Sequence, residues 1–266
     1  MRLSYTKKKT IYTITATIIL VVIFVLAWPR TKPQQQAAKT AAPANKITAS
    51  VPPAFDKNAY STDVANSLWA VVNKGRMLPS SYVPANLVTP TVPLRYPATN
   101  PEMHVRADAA AAMQTMFAAA KQSGIGLKLA SGYRSYANQT STYSNYVKTY
   151  GVSQADTFSA RPGHSEHQTG LAADLEPVSG QCEIDQCFGD LPEGKWLAAN
   201  DYKYGFIIRY QKDTQNLTGY EYEPWHVRYL GTALSNEINS SGQTLEQFFA
   251  LPPYTTYPTS SLTLKM

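Results

Sequence analysis

The chain has 266 residues, with 24 Lys and Arg against 18 Asp and Glu, a formal net charge of +6. Eight of the basic residues and none of the acids fall between Met1 and Lys46, which leaves the remainder with 16 basic and 18 acidic groups, a net of −2. The positive excess therefore does not mark a folded basic face, and a nucleic-acid partner is excluded, while 44% apolar residues and 18 Tyr exclude disorder for most of the body.

Residues 1–10 hold Arg2, Lys7, Lys8 and Lys9, and Ile11 to Trp28 is an uncharged run of 18 residues, IYTITATIILVVIFVLAW. As a helix rising 1.5 Å per residue it would be roughly 27 Å long, close to the hydrocarbon thickness of a bilayer. The basic flank predicts that 1–10 is cytoplasmic and 11–28 a single transmembrane signal anchor, with the body in the extracytoplasmic space. A cleaved signal peptide, cut after small residues near Val25 and Ala27, is the alternative. Residues 29–53, rich in Gln, Ala, Thr, Lys and Pro and without apolar periodicity, read as a linker. Residues 54–266 then form one domain without internal repeats.

Within that body, helical spacing of Val64, Leu68, Val71 and Val72 predicts a helix over Thr62 to Lys74. The Ala-rich stretch Val105 to Gln122, with Met113, Met116 and Phe117 on one side, predicts a second. Ile125 to Ser131 alternates like a strand, and Tyr136 to Tyr150 has helical length and stops at Gly151. Short strands are expected at Leu171 to Leu175, Phe206 to Tyr210 and Trp225 to Leu230, with a short helix at Trp196 to Asn200. Helices and strands mixed without regular βαβ alternation argue for an α+β fold.

Cys182 and Cys187 have four residues between them in the polar stretch GQCEIDQCFGD. In an oxidising compartment a local disulfide with a structural role is expected; a free thiol pair or a metal site is the alternative, and no second Cys pair exists to complete one.

Only four histidines are present: His104, His164, His167 and His226. His167, Asp174 and His226, taken together, supply three ligands suited to Zn²⁺ and leave a fourth position for water. Glu223, three residues before His226, is placed to act as general acid/base toward that water. Taken singly, none of these residues is distinctive.

Their order and spacing are. The pattern S-x-H-x(6)-D at Ser165, His167 and Asp174, followed by E-x-W-H at Glu223 to His226, resembles the VanY-type D-alanyl-D-alanine carboxypeptidases and related bacterial L,D-carboxypeptidases. The stretch SGYRS, Ser131 to Ser135, is similar to that family's arginine motif, and GKWLAANDYKYGFIIRY, Gly194 to Tyr210, is similar to the family between its metal motifs. The resemblance covers about Leu87 to Leu230. It implies a zinc held by His167, Asp174 and His226, with Glu223 as catalytic acid/base. It also implies that Arg134 holds the scissile carbonyl oxygen, a role suited to a permanently charged planar donor. Ser165 either contacts substrate or shapes the loop, and His164 is not expected to be a ligand. The implied fold is that of the lysostaphin, D-Ala-D-Ala peptidase and hedgehog group, an antiparallel sheet with helices around it.

The body has no HExxH helix, and in it no Ser or Thr is followed three residues later by Lys, so thermolysin-type zinc and S-x-x-K serine chemistry are both absent. The function expected is a membrane-anchored zinc metallocarboxypeptidase that removes terminal D-alanine from peptidoglycan stem peptides. Its rivals are a peptidoglycan endopeptidase and a non-catalytic wall-binding module of the same fold.

Overall fold

The computed structural model describes residues 55–266; the expected cytoplasmic segment, anchor and linker at 1–53 lie outside the described residues. Among the described residues no helix is long and apolar enough to cross a membrane.

The site is carried by a mixed α/β fold whose centre is a four-stranded antiparallel sheet. Its strands are β1 (Leu127–Ser131), β2 (Ala172–Pro177), β3 (Phe206–Tyr210) and β4 (Glu223–Tyr229), in spatial order β1-β2-β4-β3. Side chains on a strand alternate between faces, and here the alternation divides core from chemistry. Leu127, Leu129, Leu171, Ala173, Leu175, Phe206, Ile208 and Val227 join one apolar cluster, into which helix α1 (Ala107–Gln122) sends Met113, Met116 and Phe117. The residues between them in β2 and β4 include Asp174, His226 and Arg228.

Local sequence explains the helices. In α1, Ala109, Ala110, Met113, Met116, Phe117 and Ala120 recur at helical spacing and are all buried, with Asp108 in the first turn and Lys121 in the last, where each favours the helix dipole. Helix α2 (Tyr136–Tyr150) starts where the Ser135 side chain accepts from the Asn138 N–H at 3.1 Å and stops at Gly151, whose φ of +79° suits only glycine. Helices α3 (Val152–Phe158), α4 (Pro192–Asn200) and α5 (Thr232–Ser241) complete the longer ones. The helix expected at Trp196 to Asn200 thus begins four residues earlier, at Pro192, which is tolerated in a first turn. The second face of the sheet is covered by Trp69, Val71, Leu230, Leu234, Ile238, Leu245 and Phe248, packed with Ile207 of β3.

The helix expected over Thr62 to Lys74 does not form. That segment runs through turns and isolated bridges, pairing Val64 with Lys265 and Asn73 with Arg76. Its carbonyl groups are claimed by arginines: Arg76 donates to Val71 O at 2.9 Å and Thr62 O at 2.7 Å, and Arg228 to Leu68 O at 3.1 Å and Ala70 O at 2.8 Å. Backbone acceptors satisfied in this way have no need of a helix ladder. Its apolar side chains also serve two clusters, Val71 with Trp69 and Val72 with Ala65, rather than one helical stripe.

Cys182 and Cys187 form the expected disulfide. Their loop is tied to the sheet by Glu183, which accepts from Lys128 at 2.7 Å, and Phe188 just beyond it is fully buried in the main cluster.

Candidate active site

Strand register assembles the site. Asp174 lies opposite His226 across β2 and β4, and opposite Ser131 across β1 and β2, so three strands contribute to one row. His167 arrives from the single helical turn Glu166–Thr169 that precedes β2, and its Nδ1 donates to the Gly132 carbonyl at 2.6 Å. Gly132 has no substitute there, since a Cβ would collide with the His104 carbonyl oxygen. With Nδ1 occupied, His167 turns Nε2 toward Asp174 Oδ2, 3.3 Å away, while Asp174 Oδ1 lies 3.3 Å from His226 Nδ1.

These three buried residues offer ligand atoms that all lie within 4.8 Å of one another. Two imidazoles and a carboxylate are the donor set of a zinc site with an open position. Each imidazole faces its own oxygen of Asp174 at 3.3 Å, His167 through Nε2 to Oδ2 and His226 through Nδ1 to Oδ1, so the carboxylate lies between the two rings. Asp174 Oδ1 is buried without a hydrogen-bond partner, an orphan that a cation would satisfy. The residues fit the metal.

The charge states follow from the surroundings. Burial opposes ionisation of Asp174, but His167 and His226 outweigh it and hold the carboxyl well below its usual range. Burial likewise opposes charge on His226, yet Asp174 and Glu166 raise it to about 10, so a cation taken up at Nδ1 displaces a proton. Glu223 stands 3.5 Å from His226 Nδ1, and burial pushes its carboxyl up to about 8.

Arg134 sits at the junction of β1 and α2, held from several sides. It donates to Ser131 Oγ at 2.8 Å and Gln139 Oε1 at 3.2 Å, with Glu102 at 3.6 Å and Asp174 at 4.0 Å. Arg134, Ser165, His167, Asp174, Glu223 and His226 all border one cavity of about 540 Å³. The structure thus brings together the expected metal ligands, Glu223, Arg134 and Ser165, and the Cys182–Cys187 loop contributes Ile184, Asp185 and Gln186 to the same cavity. His164 is elsewhere, its Nδ1 bonded to Asn73 O at 2.8 Å.

Residues 102–232 match the family model described as VanY: D-alanyl-D-alanine carboxypeptidase. YodJ of Bacillus subtilis (strain 168), a carboxypeptidase by assignment, is 44% identical over 183 residues, covering 69% of this chain and 67% of its own. The chain belongs to the VanY family. Among solved structures, the LdcB LD-carboxypeptidase superposes with a TM-score of 0.67 at 43% identity, over 71% of this chain and 88% of that one. A mutant of the vancomycin-resistance D,D-pentapeptidase VanY, solved in complex with Zn(II), gives 0.55 at 31% identity, over 67% and 97%.

The VanY match encloses Arg134, the metal row and Glu223, but it ends before Glu246, which belongs to a charged cluster behind the row. Sequence reasoning missed three other participants. Gln139 is the one buried residue of α2 and links Arg134 to the Ala160 carbonyl, to which it donates at 2.6 Å. Tyr210 lays its ring 5.1 Å from that of His226. Glu166 lies inside the S-x-H motif but reads there as a spacer, because its partners Arg209 and Arg228 are distant in sequence.

Proposed function

We propose that this VanY-family chain is a zinc-dependent carboxypeptidase that removes terminal D-alanine from peptidoglycan stem peptides. The observation that carries the reading is the buried His167–Asp174–His226 row with Glu223 on one side and Arg134 on the other, all bordering one cavity. Held by the three ligands, zinc would lower the pKa of a water molecule and polarise the scissile carbonyl.

The remaining steps belong to side chains. Glu223 is confined by burial and ionises readily beside a cation, so it accepts the proton lost as water attacks the carbonyl carbon. It then gives that proton to the amine of the departing D-alanine, while the water oxygen stays in the new carboxylate. Arg134, fixed by Ser131, Gln139 and Glu102, donates to the carbonyl oxygen as negative charge develops on it. Ser165, buried at the cavity wall, offers its hydroxyl to the substrate. The sheet and its helices are those of the hedgehog and D-Ala-D-Ala peptidase group.

The proposal extends to place. The apolar run 11–28 behind Arg2, Lys7, Lys8 and Lys9 anchors the chain in the cell membrane, and 29–53 tethers a domain of 54–266 outside the cytoplasm.

Defined tri-, tetra- and pentapeptide stems, each as free acid and as terminal amide, test the activity by mass measurement of the products. Loss of one D-alanine from the free acids, with the amides slower by about 10² or more in kcat/KM, supports a carboxypeptidase, because an amide leaves the groups that bind a terminal carboxylate unpaired. Equal cleavage of acid and amide gives the endopeptidase, and binding without cleavage gives the wall-binding module.

A further inference from the structure

Behind the metal row lies a sealed set of four charges. Glu166 Oε1 accepts from Arg209 Nε and Arg228 Nη1, both at 2.9 Å, and Arg209 also donates to the two oxygens of Glu246 at 2.5 and 3.0 Å. Asn73 closes the far end by donating to Glu246 Oε1 at 3.0 Å. The side chains of Glu166, Arg209 and Arg228 have no solvent exposure at all. Desolvating such charges is costly, and apolar residues of similar volume are often as stable. Stability alone therefore does not account for the set.

The geometry at its near end does. Glu166 spends one oxygen on the arginines and turns the other, Oε2, toward His226 Nε2, 3.7 Å away. Both atoms are buried, and neither has a hydrogen-bond partner. At this separation they do not yet make a hydrogen bond, but each is the polar group that the other faces. On the opposite side of the same imidazole, Nδ1 faces Asp174. A histidine that ligates through Nδ1 carries its hydrogen on Nε2, and a carboxylate there fixes both tautomer and ring orientation. Tyr210 restricts the ring from one side at 5.1 Å, and the Arg209 guanidinium lies 5.1 Å from the Tyr210 ring centre.

We infer that Glu166 is a positioning residue that accepts the Nε2 hydrogen of His226 and so presents Nδ1 to the metal, with Arg209 and Arg228 holding its carboxylate in place. Both arginines donate to Glu166 Oε1 at 2.9 Å, which leaves Oε2 free to face the ring. Glu246 serves the same cluster but touches no metal ligand, which makes it the internal control. The inference rests on the zinc reading of the site and extends it to a residue one position before a ligand.

The test is zinc affinity of the full-length purified chain, measured by competition with a chelator, with thermal melting of the metal-free protein alongside. Glu166→Gln replaces the acceptor carboxylate by an amide and is expected to weaken zinc about 10- to 100-fold. Glu246→Gln is expected to lower the melting temperature and leave zinc affinity within about threefold, as for a site acting through the fold alone. Should Glu166→Gln not fold, Glu166→Asp keeps the charge beside both arginines, withdraws it from His226, and is expected to show the same loss of affinity. Wild-type affinity in the Glu166 variants, or equal weakening in Glu246→Gln, overturns the positioning role while leaving the zinc site intact. A wild-type chain that binds no zinc overturns both.

Discussion

The row that faces the cavity and the cluster sealed behind it share strand β4 and the turn Glu166–Thr169 and differ in how their charges are matched. In the sealed set, Arg209 and Arg228 are matched against Glu166 and Glu246 at 2.5 to 3.0 Å, and only the Glu166 oxygen that faces His226 is left over. In the open row, Asp174 Oδ1 is buried without a partner, and Glu223 is held neutral by burial unless a cation arrives. The sealed set is matched apart from that one oxygen, whereas the row is complete only with a ligand. Buried polar groups are ordinarily paired, and the orphan oxygen of Asp174 lies between the two imidazoles where a cation would satisfy it.

The comparison can be broken first at Glu223. Glu223→Gln keeps the shape of the row and removes the proton acceptor, so kcat should fall by roughly 10² to 10⁴ while zinc stays bound. Wild-type kcat in this variant at saturating peptide would move the proton-transfer role elsewhere.

The sealed set should respond in stability as well as in zinc affinity, since Arg209 is one of the two groups that hold Glu166 beside His226. Arg209→Met fills the same space and strands Glu246 and part of the demand of Glu166, an uncompensated buried charge that costs roughly 3–5 kcal/mol. For a domain of this size each kcal/mol lowers Tm by about 2–4 °C, so scanning calorimetry should show a fall of about 6–20 °C. A change below about 2 °C would mean that the cluster is not sealed in solution.

The smallest effect expected is a pH dependence outside both regions. Asp201 accepts from Tyr202 N at 2.6 Å and Ile208 N at 2.7 Å, yet burial outweighs these bonds and raises its pKa to about 7. A carboxyl raised in the folded state binds its proton more tightly there than in the unfolded chain. Its contribution is full below the unfolded value near pH 4 and is lost as pH rises through about 7. Asp201→Asn removes this loss. Between pH 5 and 8 the variant should gain on wild type by about 2–3 kcal/mol in chemical denaturation, a two-unit equivalent. Parallel stability curves would show that Asp201 stays ionised throughout.

The row was legible in the sequence because its residues sit in two short stretches, Ser165 to Asp174 and Glu223 to His226, whose spacing survives as strand register. Strands β1 and β3 and helix α2 were legible for a related reason, since alternation and the Ser135 and Gly151 ends act locally. The cluster was not, because Glu166 meets Arg209 and Arg228 across 43 and 62 residues, and no local pattern records such pairings. The same distant arginine misled the reading of Thr62 to Lys74. The spacing of Val64, Leu68, Val71 and Val72 imitates a helix, but Arg228 and Arg76 take the carbonyls that a helix would have used.

The measurement that bears most directly on the whole account is the zinc content of the purified chain by elemental analysis, for wild type and for the double variant His167→Ala/His226→Ala. The account predicts one zinc ion per wild-type chain and almost none in the variant, since removing two of three ligands leaves Asp174 alone. Stoichiometric zinc retained in the double variant would contradict it.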